Sequence, residues 1–343
     1  MPPTLWHFLP RMVEPPLTLP EAWPQPEPSV LPALAYGGAP EDFVVEELGG
    51  PAPDALTDAH HLALWVEKRG RSTGAVAAAL AAWRGCAPQD VGFAGQKDRQ
   101  ALTRQWFTVP RAVAEPLPAL PEGDGWRALG AHPTLKKWRR GDHTGNAFTL
   151  RLELPPRVRG DLGALAAAVE ERLAAPVPNY FGPQRFGAGG GNLKALEAWR
   201  AGAPLPRGRS RGFLLSAARA YVFNLLLAAR VQQLGLAPCD GDHLDEAGVP
   251  TAPLWGRGRS VSAGAQAALE AAVLAPHRAF LDALEHTGVR QDRRPLALRC
   301  AGVHCEVQGE TALSLALRLP PGCYATTALA ALGPATWMPA EAA

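Results

Sequence analysis

Hydrophobic and polar residues alternate along several stretches of the chain, most strictly at 148–154 and 313–319. In the first of these, Phe148 and the leucines after it occupy every second position. Because successive side chains of a β-strand point to opposite faces, this pattern predicts half-buried strands. The stretches 40–47 and 60–67 predict two more strands, and the parity puts Phe148 on the apolar face.

Other stretches follow the spacing of helices. Ser72 and Thr73 are good N-cap residues for an Ala-rich helix that runs to about residue 84. Further helices are predicted over 162–173, from Ser216 to about residue 233, and near 264–286.

The leucine-rich strand at 313–319 lies far along the chain from the strands of 40–154, yet it has the same alternation. We therefore expect the C-terminus to rejoin the first domain. The region between them is then an insertion, which divides the chain into 1–175, 176–302 and 303–343.

Composition sets the class of protein. The 343 residues are 47% hydrophobic and 19% charged, as in soluble globular proteins, and the formal net charge is +2. A nucleic-acid partner would therefore have to meet a local basic patch. The scattered cysteines argue against disulfides or a zinc site, and the pair His60–His61 has no second ligand cluster, so we expect no metal. No targeting segment or apolar run of about 18 residues is apparent, which favours a cytoplasmic protein.

The stretch with the most chemical potential is 91–106, in which Asp98 stands between Lys97 and Arg99. Glycines before the carboxylate allow tight turns and close approach of another molecule. Adjacent positive charge keeps a carboxylate ionised, which suits a nucleophile or an electrostatic stabiliser. A Lys-Asp-Arg triplet is also typical of a solvated turn, so charge pattern alone leaves both interpretations open.

Basic residues cluster in several other stretches. Residues 136–140 hold four cations around Trp138, which suits phosphate neutralisation with base stacking but is also common on solvated faces. The stretches 151–159 and 207–211 are further candidates for phosphate contacts. The turn at 68–71 comes just before a helix N-terminus, where it could hold a phosphate or be a solvated turn.

Residues 179–187 form a second unusual stretch, with aromatic residues among glycines and with Arg185 between them. This composition excludes a regular helix. The aromatic side chains either pack a tight structural loop or offer stacking faces to RNA, and composition favours neither.

The stretch from Gly92 to Gln105 reads Gly-Phe-Ala-Gly-Gln-Lys-Asp-Arg-Gln-Ala-Leu-Thr-Arg-Gln. It resembles the catalytic signature of the TruD family of tRNA pseudouridine synthases. Further stretches are similar to that family in the same order: Pro40–Glu46, Gly145–Phe148, Asn179–Gly187 and Ser216–Asn224. The resemblance covers roughly residues 35–330, and long motifs in a fixed order are far more specific than any one motif.

The resemblance implies an α+β fold. A catalytic domain built on a mixed, mostly antiparallel sheet, the pseudouridine synthase fold, would be interrupted by an inserted α+β TRUD domain over 176–302. The tRNA would lie in a cleft between them. The implied reaction is isomerisation of uridine to pseudouridine in tRNA, typically at position 13, without metal or organic cofactor. We expect a monomer with tRNA as its partner, no protein partner and no membrane.

By the same resemblance, Asp98 is the nucleophile. Lys97 and Arg99 are assigned to the substrate site beside it, because either could hold the carboxylate in place and screen it from phosphates. Three routes fit an ionised carboxylate here: attack on the sugar, attack on the base, or removal of a sugar proton to give a glycal.

The resemblance also assigns residues to the uridine. Phe43, Asn146 and Tyr324 match uridine-contacting positions, and Phe148 belongs to the same Gly-Asn-x-Phe motif as Asn146. Two departures stand out. Gly37 replaces a basic residue found in many members, and Tyr324 stands where Phe is common, so its hydroxyl needs a partner.

Two other functions compete with the isomerase. One is a non-catalytic tRNA-binding or chaperone protein of the same fold. The other is a hydrolase that pairs Asp98 with Glu46 or Glu47, and it requires a second carboxylate within about 5 to 10 Å.

Overall fold

The computed structural model describes residues 14–156, 158 and 161–338, without the side chains of Ala188 and Arg209. The predicted lead-in up to residue 13 and the basic side chains of Arg157, Arg159 and Arg209 lie outside this described part. The first strands are β1 (Leu34–Gly37), β2 (Phe43–Leu48), β3 (His61–Lys68), β4 (Gly92–Phe93), β5 (Leu102–Pro110), β6 (Glu122–Gly123), β7 (Trp126–Thr134) and β8 (Gly145–Glu153). The later strands are β9 (Val177–Pro178), β10 (Thr251–Leu254), β11 (Asp292–Pro295), β12 (Ala297–Leu298), β13 (Ala301–Gln308), β14 (Ala312–Leu319) and β15 (Ala335–Met338). The helices are α1 (Thr73–Arg84), α2 (Leu162–Ala174), α3 (Gly191–Arg200), α4 (Gly208–Gln233), α5 (Gly264–Leu274), α6 (Arg278–His286) and α7 (Ala325–Leu332).

A sheet of eleven strands carries the residues of the predicted site. Its order is β13-β14-β8-β2-β5-β3-β7-β6, with β1 joined to β8 and β15, and β4 joined to β5. The pairs β1–β15 and β2–β5 are parallel, whereas β8 pairs antiparallel with β1, β2 and β14, and β3 with β5 and β7. The predicted α+β fold with a mixed, mostly antiparallel sheet is therefore confirmed.

The alternating stretches form the centre of this sheet, as predicted. In β8, Phe148 and Leu150 are buried and Thr149 is exposed, and Leu150 lies opposite Leu315 of β14. Burying one leucine side chain stabilises the fold by roughly 2 kcal/mol. A shift of one residue in register would expose the whole apolar set, so the pattern fixes the register.

Helices cover the sheet at two hydrophobic cores. Helix α1 packs on β5, while α2 packs on β13 and α7. The Ser72 hydroxyl accepts a hydrogen bond from the Ala75 N–H at 3.2 Å, which confirms the predicted cap of α1. Helix α1 ends at Gly85, whose φ of 71° lies in the left-handed region that favours glycine.

The described chain divides into two compact units. The sheet unit contains Ser29–Val177 and the described residues from Leu298 onward, and the helical unit contains Pro178–Ala297 with residues 14–28. The segment before residue 29 packs with the helical unit, where the Tyr180 hydroxyl donates to the Pro24 carbonyl at 2.9 Å. The prediction from sequence places this segment with 1–175, because the segment lacks the periodicity that would identify its neighbours. The domain bounds of 176–302 stay a prediction.

Two helices of the helical unit differ from their predicted extent. Helix α4 begins at Gly208 and not near Ser216, whose hydroxyl instead accepts a hydrogen bond from Arg185 at 3.0 Å. The helix predicted at 264–286 is split into α5 and α6 around Pro276. Proline lacks an N–H donor and clashes with the preceding turn, so it ends the first of the two helices.

Residues Ser210–Gln233 of α4 are long and apolar enough to cross a membrane, contrary to the expectation from sequence. In the structure, 61% of this window is buried, and α4 packs against α3, α5 and β10. Its Arg230 is fully buried and pairs with Asp242 at 2.6 Å. This packing is that of a core helix.

Candidate active site

Residues 94–101 form the loop between β4 and β5 that carries Asp98. Gly92, at its base, has no room for a side chain, because a Cβ would lie 2.4 Å from both the Thr108 hydroxyl and the Trp138 carbonyl. Side chains of neighbouring elements hold the loop in place. Thr73 accepts a hydrogen bond from the Lys97 N–H at 2.9 Å.

A second buried side chain supports the same loop. Gln105 donates to the Gly95 carbonyl at 3.0 Å and accepts from the Thr73 hydroxyl at 2.9 Å. Because Thr73 and Gln105 are both fully buried, they anchor the loop to α1 and β5 at fixed points. The loop therefore presents Asp98 from a defined backbone.

Asp98 itself is exposed at this loop, and a buried cation from β3 contacts its backbone. The Lys68 ammonium donates to the Asp98 carbonyl oxygen at 2.7 Å, and Lys68 is only 1% exposed. Burial raises the pKa of Tyr36, and the negative charge of Asp98 raises it further. The carboxylate thus lies close enough to Lys68 and Tyr36 to act on both electrostatically.

Lys97 precedes Asp98 in sequence but does not face solvent beside it. Its buried ammonium donates to Glu47 at 3.0 Å and to the Asn146 side-chain oxygen at 2.6 Å. Its predicted contact with substrate stays a prediction, and in this structure Lys97 contributes to the site by holding Asn146.

Glu47 closes this buried network. Its second oxygen accepts hydrogen bonds from the Trp138 indole at 3.0 Å and from the Trp106 N–H at 3.3 Å. Trp138 is therefore a buried structural residue of the sheet unit and not an exposed stacking face between cations. Because Glu47 is fully engaged and Glu46 pairs with Arg104, neither is the free second carboxylate that a hydrolase would need.

Asn146 has its orientation set by Lys97. An ammonium can only donate, so the Asn146 oxygen must face it, and the group that Asn146 can offer to a ligand is its NH₂ donor. A donor at this point is suited to a carbonyl oxygen such as those of uracil. Burial and the charge of Lys97 lower the pKa of nearby His143.

The predicted aromatic residues Phe43 and Phe148 contact each other edge to face, with ring centroids 6.3 Å apart. Two further rings, which the sequence patterns do not identify, belong to this cluster. Tyr36 lies 6.1 Å from Phe43, and Trp337 lies 5.4 Å from Tyr36, because β1 and β15 pair in parallel. Tyr36 could have been found from the sequence, because it stands next to Gly37 in the short stretch that precedes Phe43. Phe43 and Phe148 are 5% and 7% exposed, so most of each ring is core.

The remaining predicted residues lie at the edges of the site. Arg99 is exposed and its Nε donates to the Gly70 carbonyl at 3.0 Å, which ties the Asp98 loop to the turn after β3. Tyr324 is half-buried at the N-cap of α7, just after β14 ends. Its predicted contact with uridine stays a prediction.

Two cavities of about 480 and 550 Å³ lie beside the β6–β7 hairpin, and Asp98 is not among the residues that line these two. Within residues 14–156, 158 and 161–338, no group of three His, Cys, Asp or Glu side chains could hold a metal ion.

The second unusual stretch, 179–187, is a tight structural loop of the helical unit. Tyr180, Phe181 and Phe186 are at most 7% exposed, and the Arg294 guanidinium lies 4.2 Å from the Phe181 ring centroid. Asn224 of α4 accepts from the Phe181 N–H at 2.9 Å and donates to its carbonyl at 3.0 Å. The structural interpretation of these rings is therefore favoured over base stacking.

Comparison with known proteins finds relatives of this chain. The family model described as tRNA pseudouridine synthase D (TruD) matches residues 38–196. A protein named tRNA pseudouridine synthase D from Chromohalobacter salexigens is 38% identical over 340 residues, covering 90% of this chain and 95% of that one. A protein of the same name from Pseudomonas putida strain W619 is 39% identical, covering 83% of this chain and 87% of its own.

A solved structure is similar in fold. It is described as tRNA pseudouridine synthase D from Methanosarcina mazei, and it superposes with a TM-score of 0.62 at 19% identity. The match covers 89% of this chain and 95% of that one. At this identity the likeness concerns the fold, and it extends over both compact units.

Proposed function

Because the chain belongs to the TruD family of tRNA pseudouridine synthases and isomerises uridine to pseudouridine in tRNA, we propose that Asp98 is its nucleophile and uridine 13 its target. The family membership removes the hydrolase alternative. It leaves the role of each site residue to be argued from the geometry.

The observation that supports Asp98 most directly is its exposure beside buried, fully positioned neighbours. The loop backbone is held by Thr73, Gln105 and Lys68, so the carboxylate projects from a rigid base. Preorganised groups lower a barrier because they need no reorganisation during the reaction. A solvated turn would not need a fully buried lysine on its backbone carbonyl.

The reaction exchanges one glycosidic bond for another without gain or loss of atoms. The N1–C1′ bond of uridine breaks, the uracil turns over, a C5–C1′ bond forms, C5 loses its proton and N1 ends protonated. An ionised Asp98 attacks C1′ and forms a C–O bond to it as the N1–C1′ bond breaks, and this C–O bond breaks in turn as the C5–C1′ bond forms, which frees the carboxylate.

The uridine must first leave its stack, which costs a few kcal/mol and is offset by contacts to the extruded base. Phe43 and Phe148 supply an apolar surface, and Asn146 supplies a donor for a uracil carbonyl. Tyr324, at the N-cap of α7, is the fourth residue proposed to contact the uridine. These four residues form the substrate-binding set of the proposal, together with Lys97 behind Asn146 and Arg99 beside Asp98.

The phosphates of tRNA are met by local basic side chains. Lys136, Arg139 and Arg140 are exposed on one loop, in contrast to the buried Trp138 between them. Such a patch gives salt-sensitive affinity without a large net charge. We further propose that the enzyme acts as a cytoplasmic monomer without a protein partner.

Release of tritium from tRNA labelled at C5 of uridine tests the nucleophile. The purified protein is expected to release tritium, because only C5–C1′ bond formation exchanges that hydrogen. Asp98→Asn is expected to lower this rate by at least about 1,000-fold while tRNA affinity changes by less than about 3-fold. An Asn variant with near-parental turnover would contradict the role of Asp98.

The same assay separates the enzyme from a non-catalytic RNA-binding or chaperone protein. Both would bind tRNA in a salt-sensitive way, but a chaperone would release no tritium. The target position is tested by mapping pseudouridine in total tRNA with and without the protein. Pseudouridine at another position, with none at 13, would overturn that part of the proposal.

A further inference from the structure

The cation that contacts the Asp98 backbone is neither of its two neighbours in sequence. Lys97 is engaged by Glu47 and Asn146, and Arg99 is exposed with its Nε on the Gly70 carbonyl. Position 37 offers no cation, and a Cβ there would lie 2.8 Å from the Trp337 ring. None of these positions places a positive charge on the Asp98 backbone.

Lys68 does so from a site 30 residues earlier in the chain. It is the last residue of β3, and its ammonium reaches the Asp98 carbonyl oxygen at 2.7 Å. Within the described part of the chain, no carboxylate forms an ion pair with Lys68, although it is 1% exposed. A buried cation without a paired carboxylate costs stability, so its retention here calls for another benefit.

We propose that Lys68 is the positioning residue for Asp98: it holds the loop carbonyl and supplies the fixed positive charge beside the reacting carboxylate. The inference rests on the proposed role of Asp98 and deepens it. Lys68 forms no bond to substrate. It acts through Asp98, by keeping the carboxylate oxygen near C1′ and by stabilising its negative charge before attack and after release.

The charged groups that act on Lys68 come from the Asp98 loop and not from its neighbours on the sheet. On the sheet, the uncharged Thr103 of β5 and Trp126 of β7 lie opposite it. The charged groups that act on it come from the loop, Asp98 and Lys97. Burial lowers the pKa of Lys68 to about 8, while the charge of Asp98 opposes this shift and that of Lys97 adds to it. Lys68 therefore loses its proton in a range where activity can be measured.

The test compares Lys68→Met, which keeps the length of the side chain without its charge, with Lys68→Arg, which keeps the charge. Lys194→Met, on the exposed face of α3, is the matched control for loss of one lysine. Tritium release from C5-labelled tRNA gives kcat and KM, and thermal melting reports folding. Each protein is assayed from about pH 6 to about pH 10.

Lys68→Met is expected to lower kcat by about 100-fold, with KM within about 3-fold of the parent and no lower Tm. The kcat of Lys68→Arg should be at least about 10-fold higher than that of Lys68→Met, because a guanidinium keeps its charge. The parent kcat should fall as pH rises through about 8, and Lys68→Arg should abolish this fall. Lys194→Met should stay within about 2-fold of the parent.

Several results would overturn the inference. A Lys68→Met protein with kcat within about 3-fold of the parent would show that the charge is not used. If Lys68→Met melts well below the parent and its KM rises by as much as its kcat falls, the role of Lys68 is merely structural. If the parent releases no tritium, the proposed function itself fails. If the parent is active, Asp98→Asn is inactive and Lys68→Met is normal, only the role of Lys68 fails.

Discussion

The stretch 91–106, which contains the Asp98 loop, and the loop at 179–187 look alike in sequence, since both mix glycines with aromatic and cationic residues. In the structure they differ in what their polar groups face. The loop at 179–187 turns its rings inward, and Asn224 satisfies the backbone of Phe181 on both sides. The Asp98 loop is anchored just as firmly by Thr73 and Gln105, but it leaves its carboxylate exposed.

This difference separates a structural loop from a reactive one. Where a buried side chain satisfies the backbone of a loop whose rings face the core, the polar partner stabilises the fold. Where buried groups support an exposed charge, the protein accepts a cost in stability that must be offset elsewhere. The following substitutions test this division between groups that stabilise the fold and groups that serve the reaction.

The largest expected loss of stability comes from the network behind the Asp98 loop. Lys97→Met leaves Glu47 buried without its cation, which is expected to cost about 3 to 5 kcal/mol in the free energy of unfolding. Combining Lys97→Met with Glu47→Gln removes both charges and should restore most of that loss. Urea denaturation measures both effects, and a double variant as unstable as the single one would show that the ion pair is not the cause.

The second effect depends on pH and belongs to Lys68. Its folded pKa of about 8 lies below the ordinary value of 10.5, so the folded state binds fewer protons than the unfolded state between these values. Stability of the parent therefore rises with pH across that window, by up to about 3 kcal/mol. Lys68→Met lacks this dependence, and it should be more stable than the parent below about pH 8.

The measurement for Lys68 is the free energy of unfolding of both proteins at several pH values. The advantage of Lys68→Met should shrink steadily as pH rises through the window above about 8. A constant difference between the two proteins would mean that the ammonium is not confined next to Asp98, which would weaken the contrast between the loops.

In the loop at 179–187 the expected effect is on stability alone. Asn224→Ala leaves the N–H and the carbonyl of Phe181 without their partner, at a cost of about 2 to 3 kcal/mol. Turnover by the folded enzyme should stay within about 3-fold of the parent. Asn192→Ala, which loses one bond to the Arg185 carbonyl, is the control and should cost about 1 kcal/mol.

A loss of turnover in folded Asn224→Ala, without loss of stability, would contradict this division of roles. It would mean that the loop at 179–187 takes part in the reaction, so that the two loops could not be contrasted as reactive and structural.

The smallest expected effect concerns tRNA affinity. Arg140→Ala removes an exposed cation of the basic loop and should weaken binding a few-fold at low salt, because one phosphate contact is lost. The slope of log affinity against log salt should become shallower by about 0.7 to 0.9. Arg278→Ala, exposed on α6, is the control, and an equal change in slope for both variants would show a general charge effect.

Much of the fold follows from local patterns. The alternation in β8 and β14 predicted strands with the correct faces, and Ser72 predicted the start of α1. Periodicity alone predicts one helix over 264–286, because the hydrophobic pattern continues past Pro276. A helix cannot accommodate proline in its interior, so the structure has two helices there. The residues of 14–28 have no such pattern, so their neighbours could not be predicted.

The site divides in the same way. The chain by itself determined the family, because it carries ordered motifs that name Asp98, Phe43 and Phe148 as candidates, and strand parity put Phe148 on the apolar face. Only the tertiary structure decided which lysine lies against Asp98. Adjacent residues in a loop can point in different directions, so Lys97 turns into the core while Lys68 reaches Asp98 across β3 and β5. Contacts between residues distant in sequence are set by strand pairing, and that information is absent from any single stretch of the chain.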